Sequence, residues 1–135
     1  MPFVLDNTVV CGWVLESQAT DYTAAIGDRL GQDRAVAPPL LALEYTNVMR
    51  SLCKRQRLIA SQAQAAIALL ANLDIELDPG RPNPAHLFDL ALRYDLSSCD
   101  AVYLDLALRR NLPIATQDQA LAHAAVVAGV GVVCS

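Results

Sequence analysis

Four carboxylic acids draw the eye for what they could do together: Asp6, Glu44, Asp100 and Asp118. Asp6 ends the apolar run Phe3-Val4-Leu5, and Asp118 follows a second short run, Leu112-Pro113-Ile114-Ala115-Thr116. Glu44 and Asp100 lie near the starts of two long apolar stretches of helical spacing. Carboxylates brought together repel one another, so such a group is costly unless it holds a cation. A divalent metal is the natural occupant, and hydrolytic phosphate chemistry is the function that such a group suggests first.

The elements that would position these acids follow from apolar runs and breakers. Pro2 to Asp6 reads as a short buried strand, because Phe-Val-Leu is a continuous apolar run. A helical region spans about Asn7 to Leu30, broken near Glu16 to Thr20. Arg34 to Ala37 reads as a second strand, and Pro38-Pro39 as the entry to a helix from Leu40. Ser61 suits the N-cap of a helix running to about Asn72. Asp74 to Leu77 reads as a third strand, and Gly80, Pro82 and Pro84 mark a loop. Helices are expected over 85–94 and 98–110, strands over 112–116 and 130–134, and a helix over 118–128 between them. Short strands alternating with helices imply a mainly parallel central sheet covered on both faces, a three-layer α/β/α sandwich over residues 1–135 as one domain. In such folds ligands bind beyond the carboxyl ends of the strands, which is where Asp6 and Asp118 fall.

Composition narrows the function classes. With 135 residues, 54% of them hydrophobic, the chain suits one compact domain with a sizeable core. No apolar run approaches the roughly 20 residues of a membrane span, and no secretory signal is evident, so a cytoplasmic protein without membrane attachment is expected. Cys11, Cys53, Cys99 and Cys134 are far apart with no CxxC pair, and read as mostly buried apolar residues rather than zinc ligands. The net charge of −4 argues against nucleic-acid binding by bulk electrostatics alone. Arg50, Lys54, Arg55 and Arg57 nevertheless form a local basic cluster. It reads either as a solvated helix end complementing the helix dipole, or as a phosphate-contacting patch or partner surface.

Taken singly, each acid also has a structural explanation. Glu44 shares a helix face with Asn47 and Ser51, and would sit at the rim or against a partner. Asp100 falls where it could cap a helix, with Tyr103 on the same side as core packing. Asp105 points about 140° away around that helix and pairs with Arg109 at i+4, outside the site. Either Thr116 or Asp118 suits an N-cap. It is the set, on two strand ends and two helix starts, that points to a site.

Four segments carry a resemblance to a known family: Val4-Leu5-Asp6-Asn7-Thr8, Glu44-Tyr45-Thr46-Asn47, Asp100-Ala101-Val102-Tyr103-Leu104 and Ala115-Thr116-Gln117-Asp118. In order and spacing they resemble the four motifs of PIN-domain ribonucleases, most closely the small VapC-type toxins of bacterial toxin–antitoxin pairs. The resemblance implies a PIN-like fold and an endoribonuclease dependent on Mg²⁺ or Mn²⁺. It places metal ligands at Asp6, Asp100 and Asp118, with Glu44 binding a second ion or positioning water. Thr8, Asn47 and Thr116 match the accompanying polar positions. Cys99 stands where many relatives carry an aromatic residue, and Asn7 where a small residue is common. RNA as substrate, a homodimer and a small cognate antitoxin are the partners implied. An apolar groove carrying Leu15, Leu30 and Val48 would receive the antitoxin, unless those side chains are core. The alternatives are a catalytically silent PIN-like interaction module and a housekeeping RNA-processing nuclease. A haloacid-dehalogenase phosphotransferase fits less well, because Thr8 stands where that chemistry needs a second Asp. A receiver domain would want a Lys late in the chain, and the only one is Lys54.

Overall fold

The computed structural model describes residues 1–134. Four short strands form one parallel sheet: β1 (Phe3–Leu5), β2 (Ala35–Ala37), β3 (Ile75–Leu77) and β4 (Ile114–Ala115), in the order β3-β2-β1-β4. Around it, among the described residues, lie seven α-helices: α1 (Asn7–Val14), α2 (Asp21–Arg29), α3 (Leu40–Lys54), α4 (Ala60–Ala71), α5 (Pro84–Tyr94), α6 (Ser98–Arg110) and α7 (Gln119–Val127). A 3₁₀ turn at Glu16–Gln18 supplies the expected break between α1 and α2.

Alternation along the strands builds the three layers. Phe3, Leu5, Ala35, Ala37 and Ala115 pack to one side, with Val9, Ile26, Leu41, Tyr45 and Met49 of the helices there. Val4, Val36 and Ile114 face the other side, against Leu104, Leu106 and Ala107 of α6 and Leu121 and Ala124 of α7. Every residue of β1 and β2 is buried, which is why these strands read as continuous apolar runs. β1 lies between β2 and β4, so its carboxyl end sits at the middle of the sheet edge.

Several expectations need correction. The strand expected over 130–134 is a single bridge between Ile114 and Val132, and β4 keeps only two residues. Gly129 and Gly131 adopt positive φ just before Val132, so extended pairing is confined to the bridge, which Ile114 makes through the Gly131 carbonyl and the Val133 N–H. Ser61 does not cap α4; the helix starts at Ala60, and Gln62 accepts a hydrogen bond at 3.0 Å from the Ile59 backbone N–H. Of the cysteines only Cys11 is buried; Cys53 is half-buried, and Cys99 and Cys134 are exposed. For Leu15, Leu30 and Val48 the core alternative holds: Leu15 belongs to the core, and Leu30 and Val48 pack against it.

Candidate active site

Asp6 leaves β1 at its carboxyl end, where its backbone N–H donates to the Ala115 carbonyl of β4. It occupies the N-cap position of α1, yet its side chain does not cap. Instead Asp6 Oδ2 accepts from Thr8 Oγ1 at 2.7 Å and from Thr116 Oγ1 at 2.6 Å. The two threonines are held in turn by backbone donors: Gln117 N to Thr8 Oγ1 and Asp118 N to Thr116 Oγ1, each 2.9 Å. Each hydroxyl thus accepts from a backbone N–H and is free to give its single proton to Asp6. Asp6 is 3% exposed. Burial raises its pKa despite the two hydroxyls, and the Asp118 charge adds to the rise.

Asp100 and Glu44 reach the same region from opposite sides of the sheet. Ser97 caps α6 by accepting from the Asp100 N–H at 3.1 Å, which releases the Asp100 side chain from the capping role. Burial, then the charges of Asp118, Asp6 and Glu44, push the Asp100 pKa up to about 6. Glu44, half-buried in the second turn of α3, is raised by burial and by Asp6. Its Oε1 accepts from the Tyr103 hydroxyl at 2.7 Å. Tyr103 is fully buried, and burial beside Asp6 and Glu44 holds its hydroxyl protonated as a donor. Reading Tyr103 as core packing alone therefore missed half of its role. The signal was present, since Tyr103 lies one turn from Asp100 on the same face of α6.

Asp118 realises its structural alternative: Oδ1 accepts from Leu121 N–H at 3.1 Å and caps α7. Gln117 has a role that its place in Ala115-Thr116-Gln117-Asp118 did not reveal. Its Nε2 donates to the Thr8 and Gln18 carbonyls, each at 3.1 Å, and its Oε1 accepts from Thr20 Oγ1 at 2.9 Å. It ties the 3₁₀ turn and the start of α2 to the Thr8 that holds Asp6. No local pattern marks a glutamine for that task. Asn47 is exposed and joins none of these hydrogen bonds, so the fold does not bring it among the acids. Asp105 faces away and pairs with Arg109 at i+4, as its angular position predicts.

No Lys, Arg or His forms an ion pair with Asp6, Glu44, Asp100 or Asp118 among the described residues. Asp6, Glu44 and Asp118 each have one oxygen held by the protein and a second that receives no side-chain donor. An all-oxygen, uncompensated donor set of this kind fits a hard divalent cation. As the side chains stand, no three Asp, Glu, His or Cys groups among the described residues converge on a single ion position. A cation would have to draw the uncommitted oxygens inward.

The PIN-domain family model matches residues 3–127. Among solved structures, the chain is similar to the crystal structure of PAE2754 from Pyrobaculum aerophilum, with a TM-score of 0.72 and 16% sequence identity. The likeness covers 92% of this chain and 84% of that one. At that identity it speaks for the fold. No curated protein matches the sequence.

Proposed function

The chain belongs to the PIN-domain family, and on that premise we propose that it is a divalent-metal-dependent endoribonuclease acting as the toxin of a type II toxin–antitoxin pair. PIN domains in general are nucleases that use divalent metal ions and bind RNA. The observation that carries the reading is the group of acids at the carboxyl end of β1, mutually repelling and without a cationic side chain.

In this reading Asp6, Asp100 and Asp118 hold Mg²⁺ or Mn²⁺, and Glu44 binds a second ion or orients the attacking water. When bound, the ion supplies positive charge facing the phosphodiester and lowers the pKa of that water. The chain's own residues set the geometry. Thr8 and Thr116 fix Asp6 Oδ2 and leave Oδ1 without a side-chain donor. The α7 cap fixes Asp118 in the same way, and Tyr103 fixes Glu44. Such outer hydrogen bonds orient ligands and commonly change metal affinity by about 10–100-fold.

The toxin role implies a cytoplasmic homodimer restrained by a small antitoxin. Phe88 and Leu92, exposed one turn apart on α5, support a protein–protein surface. No helix among the described residues is long and apolar enough to cross a membrane. The test is RNA cleavage by the purified protein with Mg²⁺ or Mn²⁺, expected for the parent and lost in Asp6→Asn. Equal residual cleavage by both proteins removes the catalytic reading. Growth arrest on expression, relieved by a small co-encoded protein, tests the toxin role separately.

A further inference from the structure

An acidic nuclease centre in a chain of net charge −4 must still attract a polyanion, so the placement of its free cations is informative. Of the ten Lys and Arg side chains, Arg29, Arg34, Arg109 and Arg110 are in ion pairs with acids, and Arg93 lies 5.4 Å from the centre of the Tyr94 ring. The other five are Arg50, Lys54, Arg55, Arg57 and Arg81. Four of these five fall at the carboxyl end of α3, all exposed and none ion-paired among the described residues.

Helix α3 is also the helix that carries Glu44. Arg55 follows Glu44 by about three full turns, so it returns to the Glu44 face about 16 Å along the axis. Ser51 lies between them on the same stripe, while Lys54 and Arg50 lie about 80° and about 120° around the helix from Glu44, both to one side. Beyond the helix end, Arg57 borders a cleft of about 510 Å³. Val14, Leu15, Leu52 and Leu58 give this cleft apolar lining, Ser17 adds a hydroxyl, and the Glu16 carboxylate beside Arg57 would repel a phosphate seated there. A cation beside apolar lining suits a nucleotide, whose phosphate is charged and whose base is not. At about 3.4 Å per stacked nucleotide, 16 Å is the reach of about five nucleotides.

We propose that the carboxyl end of α3, with Arg50, Lys54, Arg55 and Arg57, binds the backbone of a single-stranded RNA that extends from the acidic centre about five nucleotides away. This rests on the nuclease reading of that centre. It adds where the substrate runs and which side chains hold it. The competing account is a solvated helix end whose cations only complement the helix dipole.

The experiment uses the Asp6→Asn protein with Mg²⁺, which should bind RNA without cutting it, and a labelled single-stranded RNA long enough to span both regions. Neutralising all four cations to Gln should weaken binding at low salt at least about tenfold. It should also flatten the slope of log affinity against log salt by up to about 3, at about 0.7 for each phosphate left without its cation. Two double variants separate local from bulk charge, and carry the test if the fourfold variant does not fold. Arg50→Gln/Arg55→Gln should weaken binding, whereas Arg81→Gln/Arg93→Gln should not. In the protein with Asp6 intact, the four substitutions should raise KM for the long RNA and leave cleavage of a trinucleotide unchanged. Equal effects of the two doubles, or none from either, overturn the proposal while leaving the nuclease reading standing. No RNA binding by the starting protein overturns both.

Discussion

Helix α6 delivers one acid to each of two clusters, and the clusters have opposite electrostatics. Asp100 enters the group with Asp6, Glu44 and Asp118, which has no cationic partner, and its pKa is pushed up to about 6. Asp105, five positions on, is 3% exposed and accepts from Arg109 Nε at 2.9 Å, with His86 at 3.3 Å. Beside it Asp78, 4% exposed, is gripped by Arg109 at 2.8 Å and by Arg110 at 2.8 Å, and Arg110 reaches on to Glu76 at 2.6 Å. Hydrogen bonds from Arg109 lead the causes that hold Asp78 below the usual carboxylate range. Both clusters lie just beyond carboxyl ends of strands, β1 and β4 for one and β3 for the other. Position in the fold therefore does not make an acid functional. What differs is whether the protein supplies a counter-charge: it does for Asp78 and Asp105, and among the described residues it does not for Asp6, Glu44, Asp100 and Asp118.

Substitutions in the two clusters should have opposite consequences. Asp6→Asn should cost RNA cleavage roughly 10²–10³-fold or more, the scale for removing one electrostatic element of a site. It should leave thermal stability unchanged or raised, because a buried charge is removed while the Thr8 and Thr116 hydroxyls keep an oxygen to donate to. A large loss of stability would mean that the Asp6 carboxylate is structural. Asp78→Ala should do the reverse. It strips the shared acceptor from Arg109 and Arg110 and should cost about 1–3 kcal/mol in urea unfolding. Both arginines are partly exposed and can rehydrate, which keeps the loss below that of a fully buried pair. Cleavage per folded molecule should not change, and a drop in it would join the two clusters into one site.

Tyr103→Phe asks whether the unpaired cluster is organised as well as crowded. The ring stays, so the core on that side of the sheet is preserved, and only the donor to Glu44 Oε1 is lost. Mn²⁺ affinity, read by calorimetry, should fall about tenfold. An affinity equal to the parent's would place Glu44 outside the metal site. This residue also marks where sequence reading stops. The parallel sheet, the burial of β1 and β2 and the positions of Asp6 and Asp118 follow from apolar runs, strand–helix alternation and junction residues, whereas the strand order β3-β2-β1-β4 does not. The Tyr103–Glu44 bond joins residues 59 positions apart, and Thr116 reaches Asp6 across 110. Such pairings depend on how helices pack over the sheet. The same holds for Asp78 with Arg109 and Arg110, whose side chains look in sequence like ordinary surface charges.

The smallest effect, and the one that sets the clusters against each other in a single experiment, is the pH dependence of stability without metal. Asp100 titrates near 6 in the folded protein, above the roughly 3.9 of an unfolded Asp. Between those values the folded state binds more protons than the unfolded one, so stability rises as pH falls from about 6 to about 4. Asp78 has the opposite sign. Its folded pKa is depressed, so its contribution is fully present above about 3.9 and is lost as pH falls through the folded value. The melting temperature of the metal-free protein should therefore climb modestly from pH 7 to about pH 4–5 and drop below that. Asp100→Asn should flatten the climb and Asp78→Asn the drop, each leaving the other limb intact. Saturating Mn²⁺ should invert the first limb, since protons then compete with the ion for the same oxygens. A metal-free melting temperature that falls from pH 7 to pH 5 would mean that the four acids are already compensated, and the contrast between the clusters would be lost.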